Sequence, residues 1–309
     1  MDMLTCKGLS KEYDKGKRAL DGVSFSIPAK GVFALIGRNG AGKTTLVRIL
    51  ATQLLPTGGY ATLAGLDVVK DTGSVRELIA CVPQEAHAMP WLTPRQFITS
   101  YLYWRGMGRD EAARSFMATM RKLRIEKYAD TTNRKLSGGL KRKVLVAAVI
   151  ASRARILFLD EPTTGLDPIS RTELWETLRM LKKDHFIFLT THYLEEAENL
   201  ADNIGILNDG RLMALGTLDE LRARVKYPYS IKVFSEAKAE KPRQGSMIVG
   251  EDGVRQILTT EREANRLSTK LIKRGVRLSM NPITLEDIFY YIVKKPIENE
   301  VYDNGEEYW

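Results

Sequence analysis

The stretch that most constrains this chain is Gly37-Arg38-Asn39-Gly40-Ala41-Gly42-Lys43-Thr44-Thr45. It follows the apolar run Val32-Phe33-Ala34-Leu35-Ile36 and leads into Leu46-Val47-Arg48-Ile49-Leu50. The first run predicts a buried strand and the second a helix. A glycine-rich loop between strand and helix is the setting of a phosphate-binding loop. Its glycines let successive backbone N–H groups turn inward at a helix N-terminus, where the dipole also favours negative charge. Lys43 adds a point charge for the β- and γ-phosphates, and the Thr44 hydroxyl is a hard oxygen donor suited to Mg²⁺. The expectation is nucleotide binding on an α/β sheet.

Length and charge narrow the class further. With 309 residues the chain has room for two domains, or for one large domain with an appendage. Cys6 and Cys81 are the two cysteines, far apart and without metal-ligand spacing. Both sit in apolar runs and read as small buried hydrophobes in a reduced cytosol. No run approaches the ~20 apolar residues needed to cross a bilayer, Val144 to Ala151 being the best. The expectation is a soluble or peripheral chain. Net charge is +9, and the last fourteen residues, Pro296 to Trp309, hold five acids and no Lys or Arg. The rest is therefore basic, which suits solvated faces, nucleic acid or an anionic membrane surface.

Further along, short strand-like runs cover Leu4 to Lys7, Val23 to Ile27, Ala61 to Leu63 and Ile79 to Val82. Tyr13 sits early enough to stack on a base or to be an ordinary half-buried tyrosine. Gln84 stands just past the carboxyl end of a strand, where such sheets place ligand-contacting groups. Residues 90 to 132 turn helical and aromatic, with Trp91, Phe97, Tyr101, Tyr103 and Trp104. They read either as a docking groove for a partner or as the core of a helical insertion. Leu136-Ser137-Gly138-Gly139 then precedes a second helix, Leu140 to Ala151, with Ser137 as N-cap and a second anion site at the turn. The apolar run Ile156 to Leu159 ends in Asp160 and Glu161, adjacent carboxylates that point differently and can take different roles. A turn, Pro162 to Pro168, leads to a helix, Ile169 to Lys182. The strand Phe186 to Thr191 then ends at His192, and Ile204 to Leu207 pairs with Arg211 to Leu215 across Asn208-Asp209-Gly210.

Taken in this order, the loop, Gln84, the Leu-Ser-Gly-Gly turn, Asp160-Glu161, Thr164 to Asp167 and His192 resemble the ATP-binding-cassette ATPases over about residues 1–220. The resemblance implies an α/β P-loop NTPase fold of the ABC type, with a helical subdomain at about 88–150. It implies Tyr13 stacking on adenine, and the Gly37, Asn39, Gly40, Ala41, Gly42, Lys43, Thr44 and Thr45 cradle on the phosphates. Mg²⁺ would be held by Thr44, Gln84 and Asp160. Glu161 would polarise the attacking water and His192 contact the γ-phosphate, with Gln84 and Lys43 completing the catalytic set. The family pairs two such domains head to tail, so that Ser137, Gly138 and Gly139 close over the partner's nucleotide.

Leu140 stands where the family often has Gln, and Lys141-Arg142-Lys143 follows. That departure resembles the exporter subfamily grouped with drug-resistance ATPases. Residues 221–295 read as a small α+β domain of regulatory or dimerising type, with strands Tyr229 to Phe234, Met247 to Val249, Val254 to Leu258 and Val276 to Ser279. Helices Glu261 to Arg274 and Thr284 to Lys294 complete it, the second set off by a break at Asn281-Pro282. Residues 296–309 form an acidic tail. The expected function is the ATP-hydrolysing subunit of an exporter, at the cytoplasmic face of the cell membrane. Its partners would be a membrane-spanning permease and a second ATPase subunit, with no nucleic acid. The alternative is a soluble cassette ATPase acting on ribosomes or nucleic acid, supported by net charge alone.

Overall fold

The computed structural model describes residues 3–234, 242–243, 245–249 and 255–293; the acidic tail, and most of the polar stretch from 235 to 244, lie outside them. The chain divides into two compact units, Met1–Leu215 and Gly216–Trp309, where the sequence places the boundary near 220. The first unit runs β1 (Met3–Tyr13), β2 (Lys17–Pro28), β3 (Val32–Ile36), α1 (Lys43–Leu50), β4 (Gly58–Leu63), β5 (Leu66–Asp67), α2 (Thr72–Leu78), β6 (Ile79–Val82), α3 (Pro94–Trp104), α4 (Arg109–Lys122) and α5 (Gly138–Ala151). It continues with β7 (Ile156–Asp160), α6 (Pro168–Leu181), β8 (Phe186–Thr191), α7 (Leu194–Leu200), β9 (Asn203–Asn208) and β10 (Arg211–Gly216).

A six-stranded sheet, ordered β10-β9-β3-β8-β7-β6, carries the site. From β9 to β6 its pairings are parallel, so its strands are covered on both faces and β3, β7 and β8 are buried throughout. The edge pair β9 and β10 turns through Asp209-Gly210, both left-handed at φ 46° and 76°, as a two-residue hairpin loop demands. Parallel register aligns Ile36 with Thr191 and Ile206, Asp160 with Thr190, and Val82 with Leu159. Gly37, Gln84, Glu161 and His192 therefore emerge at one edge of the sheet.

A second, antiparallel sheet, β2-β1-β4-β5, packs over α1 and the first sheet. β1 extends well beyond Lys7, where its apolar pattern stops. Gly8 at φ 56° and an irregularity between Cys6 and Leu9 shift the alternation, and Leu9 resumes it as a buried residue. Phe25, Phe33, Phe188 and Phe158 link the layers in that order, ring centroids 5.9, 5.0 and 5.5 Å apart.

In the helical subdomain, α3 starts at a reciprocal Thr93/Gln96 capping box with Pro94 in the first turn. Its core is Ile98, Leu102, Phe116 and Met120 rather than the aromatic cluster. Trp91 is 71% and Trp104 86% exposed, Tyr103 is exposed, and Phe97 and Tyr101 are half-buried.

The second unit holds α8 (Leu218–Ala223), β11 (Tyr229–Val233), β12 (Gly245–Val249), β13 (Arg255–Thr259), α9 (Glu261–Lys273), β14 (Leu278–Pro282) and α10 (Leu285–Val293). Its antiparallel sheet is ordered β12-β13-β11-β14. Ala264, Leu267 and Leu271 on α9 pack against Ile231, Val233 and Ile257. The last strand differs from expectation: Asn281 and Pro282 pair with Ser230 and Tyr229 instead of breaking the chain. Proline is tolerated there because it ends an edge strand.

Candidate nucleotide site

Lys43 opens α1 behind Gly42, which is left-handed at φ 105°. A Cβ on Gly42 would lie 2.4 Å from the Ala19 carbonyl oxygen, and one on Gly37 2.4 Å from that of Leu207, so both positions admit glycine alone. A Cβ on Gly40, at φ 84°, would meet nothing within 4 Å, which leaves the rim of the loop open to a ligand. The Lys43 ammonium is buried and donates to the carbonyls of Gly37 at 2.8 Å and Arg38 at 3.2 Å. Its third neighbour is the Glu161 Oε1, 3.4 Å away.

Glu161 is the hub. Its backbone is left-handed, φ 48°, and its N–H donates to Thr190 Oγ1 at 3.0 Å, while the Thr190 hydroxyl donates to Asp160 Oδ1. Oε2 faces His192 Nδ1 at 3.1 Å and accepts from the Thr164 hydroxyl at 3.1 Å and Gln84 Nε2 at 3.4 Å. The structure thus gathers Lys43, Gln84 and His192 on one buried carboxylate. Thr190 was not singled out in the sequence; two polar residues closing the apolar run of β8 were its signal.

Asp160 is buried, and with Thr44 and Gln84 it lines a cleft of about 30 Å³. A polar cavity above about 10–15 Å³ holds a water-sized particle, and hard oxygen donors of this kind suit Mg²⁺, which keeps several of its own waters. Cys81 lines the same cleft half-buried, whereas Cys6 is fully buried. Burial pushes the Cys81 thiol up to about 12, so it stays neutral.

Tyr13 reaches the loop from the antiparallel sheet. Its hydroxyl lies 3.3 Å from Thr45 Oγ1, its ring is partly exposed, and the Lys11 ammonium stands 5.5 Å from the ring centre. Asn39 is exposed at the loop's tip and Ala41 is buried beneath it.

Ser137 caps α5, its hydroxyl accepting from the Leu140 amide at 3.3 Å. Ser137 and Gly138 are exposed, and a Cβ on Gly138 would meet nothing within 4 Å. Gly139 is different: a Cβ there would fall 2.4 Å from Ser170 Oγ, so α5 and α6 meet at their N-termini. Asp167 caps α6, and hydrogen bonding from Ser170 holds its carboxyl below the usual range. Arg142, within the basic run, is buried and donates to the carbonyls of Asp160, Glu161 and Pro162.

A parallel sheet whose edge joins a glycine loop, a loop lysine and a buried carboxylate at the end of a neighbouring strand defines a P-loop nucleotide hydrolase. The family model described as ABC transporter matches residues 20–164. The chain is 39% identical over 221 residues to the daunorubicin resistance ATP-binding protein DrrA3 of Streptomyces coeruleorubidus, covering 71% of this chain and 70% of that protein. It is 36% identical to ABC transporter A family member 5 of Arabidopsis thaliana over 77% of this chain, but spans only 26% of that longer protein. Among solved structures, an ATP-binding subunit of an ABC transporter superposes with a TM-score of 0.63 at 29% identity, over 72% of this chain and 92% of that one. The chain belongs to the ATP-binding-cassette transporter family. It is of the drug-resistance type, and it binds and hydrolyses ATP as the energising subunit of a transporter.

Proposed function

We propose that this subunit drives export through a separate membrane-spanning partner, with Mg²⁺ as the companion of ATP. Glu161 would act as the base that orients and deprotonates the attacking water, and a positioned base contributes about 10²–10⁴ in rate. Lys43 and the amides of Gly37 to Thr45 hold the phosphates, and His192 fixes the Glu161 carboxylate from the opposite side. Tyr13 offers its ring to the adenine. Mg²⁺ held by Thr44, Gln84 and Asp160 would neutralise phosphate charge as it shifts during transfer. The observation that carries this reading is the convergence of Lys43, His192, Thr164 and Gln84 on one buried carboxylate.

One further feature supports a shared site, and another a membrane partner. The Ser137-Gly138 turn is open to solvent at a positive helix end, so it suits a phosphate brought by a second subunit. A two-fold dimer places each turn against the other loop, and its closing and opening would supply the movement that a permease uses. The exposed Trp91 ahead of α3, and Tyr103 and Trp104 at its end, give such a permease apolar footholds on the cytoplasmic face of the membrane. No helix among the described residues is long and apolar enough to span a bilayer itself.

Purification from membranes in mild detergent tests this. ATPase activity should travel with a polypeptide bearing several spans of ~20 apolar residues. Recovery with ribosomes or DNA in a salt-sensitive manner would overturn it.

A further inference from the structure

Arg142 lies one turn into α5, the helix that begins with the Ser137-Gly138-Gly139 turn, and it is 8% exposed. A buried guanidinium needs acceptors for its N–H groups. Here Nε donates to the Pro162 carbonyl at 2.8 Å, and Nη2 to the carbonyls of Asp160 and Glu161, each at 3.0 Å. These are three consecutive carbonyls, centred on the residue held at φ 48°. Burial lowers the pKa of Arg142, while Asp160, Glu196 and Glu161 nearby favour its charged form. Its fork is spent on the backbone around Glu161, leaving both carboxylate oxygens free for Lys43, Gln84, Thr164 and His192.

We propose that Arg142 is a positioning residue for hydrolysis: its three hydrogen bonds hold residues 160–162 in the left-handed turn that aims the Glu161 carboxylate between Lys43 and His192. A left-handed glutamate at a strand end is uphill in isolation and persists only where its surroundings over-determine it. The planar fork satisfies several acceptors in fixed relative positions, which an ammonium on a flexible stem does less well. Because α5 starts at the Ser137-Gly138-Gly139 turn, one helix joins that turn to the base. A displacement of the turn is thereby passed to the Glu161 backbone.

The inference rests on Glu161 as the base, and the test separates the two. Steady-state ATPase kinetics and equilibrium binding of a fluorescent ATP analogue are measured for Arg142→Met and Arg142→Lys, alone and combined with Glu161→Gln. A misplacement of catalytic groups on the order of 1 Å costs about 10²-fold, so kcat of Arg142→Met should fall by about that factor. Arg142→Lys should fall less, and KM and analogue binding should stay at wild-type values in both. In the Glu161→Gln background neither substitution should lower the residual rate further, because a group acting through the carboxylate has nothing left to act on. Should Arg142→Met fail to fold, Arg142→Lys and its double variant carry the comparison. Wild-type kcat in the folded variant, loss of binding in parallel with kcat, or a further drop on top of Glu161→Gln would each overturn the role. A Glu161→Gln variant that hydrolyses ATP normally removes the base assignment itself, whatever Arg142 does.

Discussion

Replacing Glu161 by Gln keeps the shape of the hub and removes its charge. Two effects follow, and they can be sized separately. On the chemical side, the amide cannot take a proton from water, so phosphate release should fall by about 10²–10⁴ while ATP still binds through Lys43 and the loop amides. On the stability side, the variant loses the ion pair between Glu161 Oε1 and the Lys43 ammonium, 3.4 Å apart and with both side chains buried. Removing one partner of a buried pair typically costs about 3–5 kcal/mol. Lys43 keeps the Gly37 and Arg38 carbonyls at 2.8 and 3.2 Å, and the amide oxygen still accepts. The deficit should therefore be nearer the value of one charge-assisted hydrogen bond, about 1.5–3 kcal/mol. A domain of this size loses about 2–4 °C in melting temperature per kcal/mol. Saturating ATP should raise both melting temperatures alike, since ligand at a hundred times its Kd adds about 2.7 kcal/mol to each. Phosphate release and thermal melting with and without nucleotide read both effects. Hydrolysis at the wild-type rate would refute the base assignment, and an unchanged nucleotide-free melting temperature would refute the ion-pair reasoning.

Three further outcomes are expected. Gly139→Ala drives a methyl against Ser170 Oγ; overpacking of this kind costs about 1–3 kcal/mol, so melting temperature and ATPase rate should both drop, with partial recovery in a Gly139→Ala/Ser170→Gly double variant. Trp91→Ala with Trp104→Ala should change stability by less than about 0.5 kcal/mol because both rings face solvent, yet reduce co-purification with the membrane partner. Burial pushes the Glu196 carboxyl above its ordinary 4.5, although the Trp175 indole N–H donates to its Oε1 at 3.2 Å. Between 4.5 and that raised value the folded chain keeps a proton that the unfolded chain has released, so this group's contribution weakens as pH rises through the window. Melting curves from pH 4.5 to 7 should therefore shift in favour of Glu196→Gln relative to the wild type as pH increases; no change in their difference would contradict the assignment.

Much of this was legible because apolar runs in a parallel sheet leave little ambiguity. The strand spans at Val32–Ile36 and Phe186–Thr191 follow directly from uninterrupted hydrophobicity bounded by charge or glycine. Gln84 and His192 could be placed because each lies just beyond such a run. Neighbourhoods were not legible. Nothing in the run Lys141-Arg142-Lys143 announces burial, yet the structure buries Arg142 on backbone carbonyls and pairs Lys143 with Glu173 at 2.8 Å. Periodicity cannot reveal this, since the acceptors come from a turn some twenty residues away. Pro282 misled for the opposite reason: its local rule is sound, but an edge position cancels it.

The left-handed backbone at Glu161 sets strain against the buried ion pair that the same residue makes with Lys43. A side chain with a Cβ gives up about 1–2 kcal/mol in that conformation, and glycine would escape the penalty. Glycine at position 161 would nonetheless leave the buried Lys43 ammonium without its carboxylate, a loss of about 3–5 kcal/mol that outweighs the strain relieved. Selection for heat resistance alone should therefore keep glutamate there, so that durability and turnover favour the same residue.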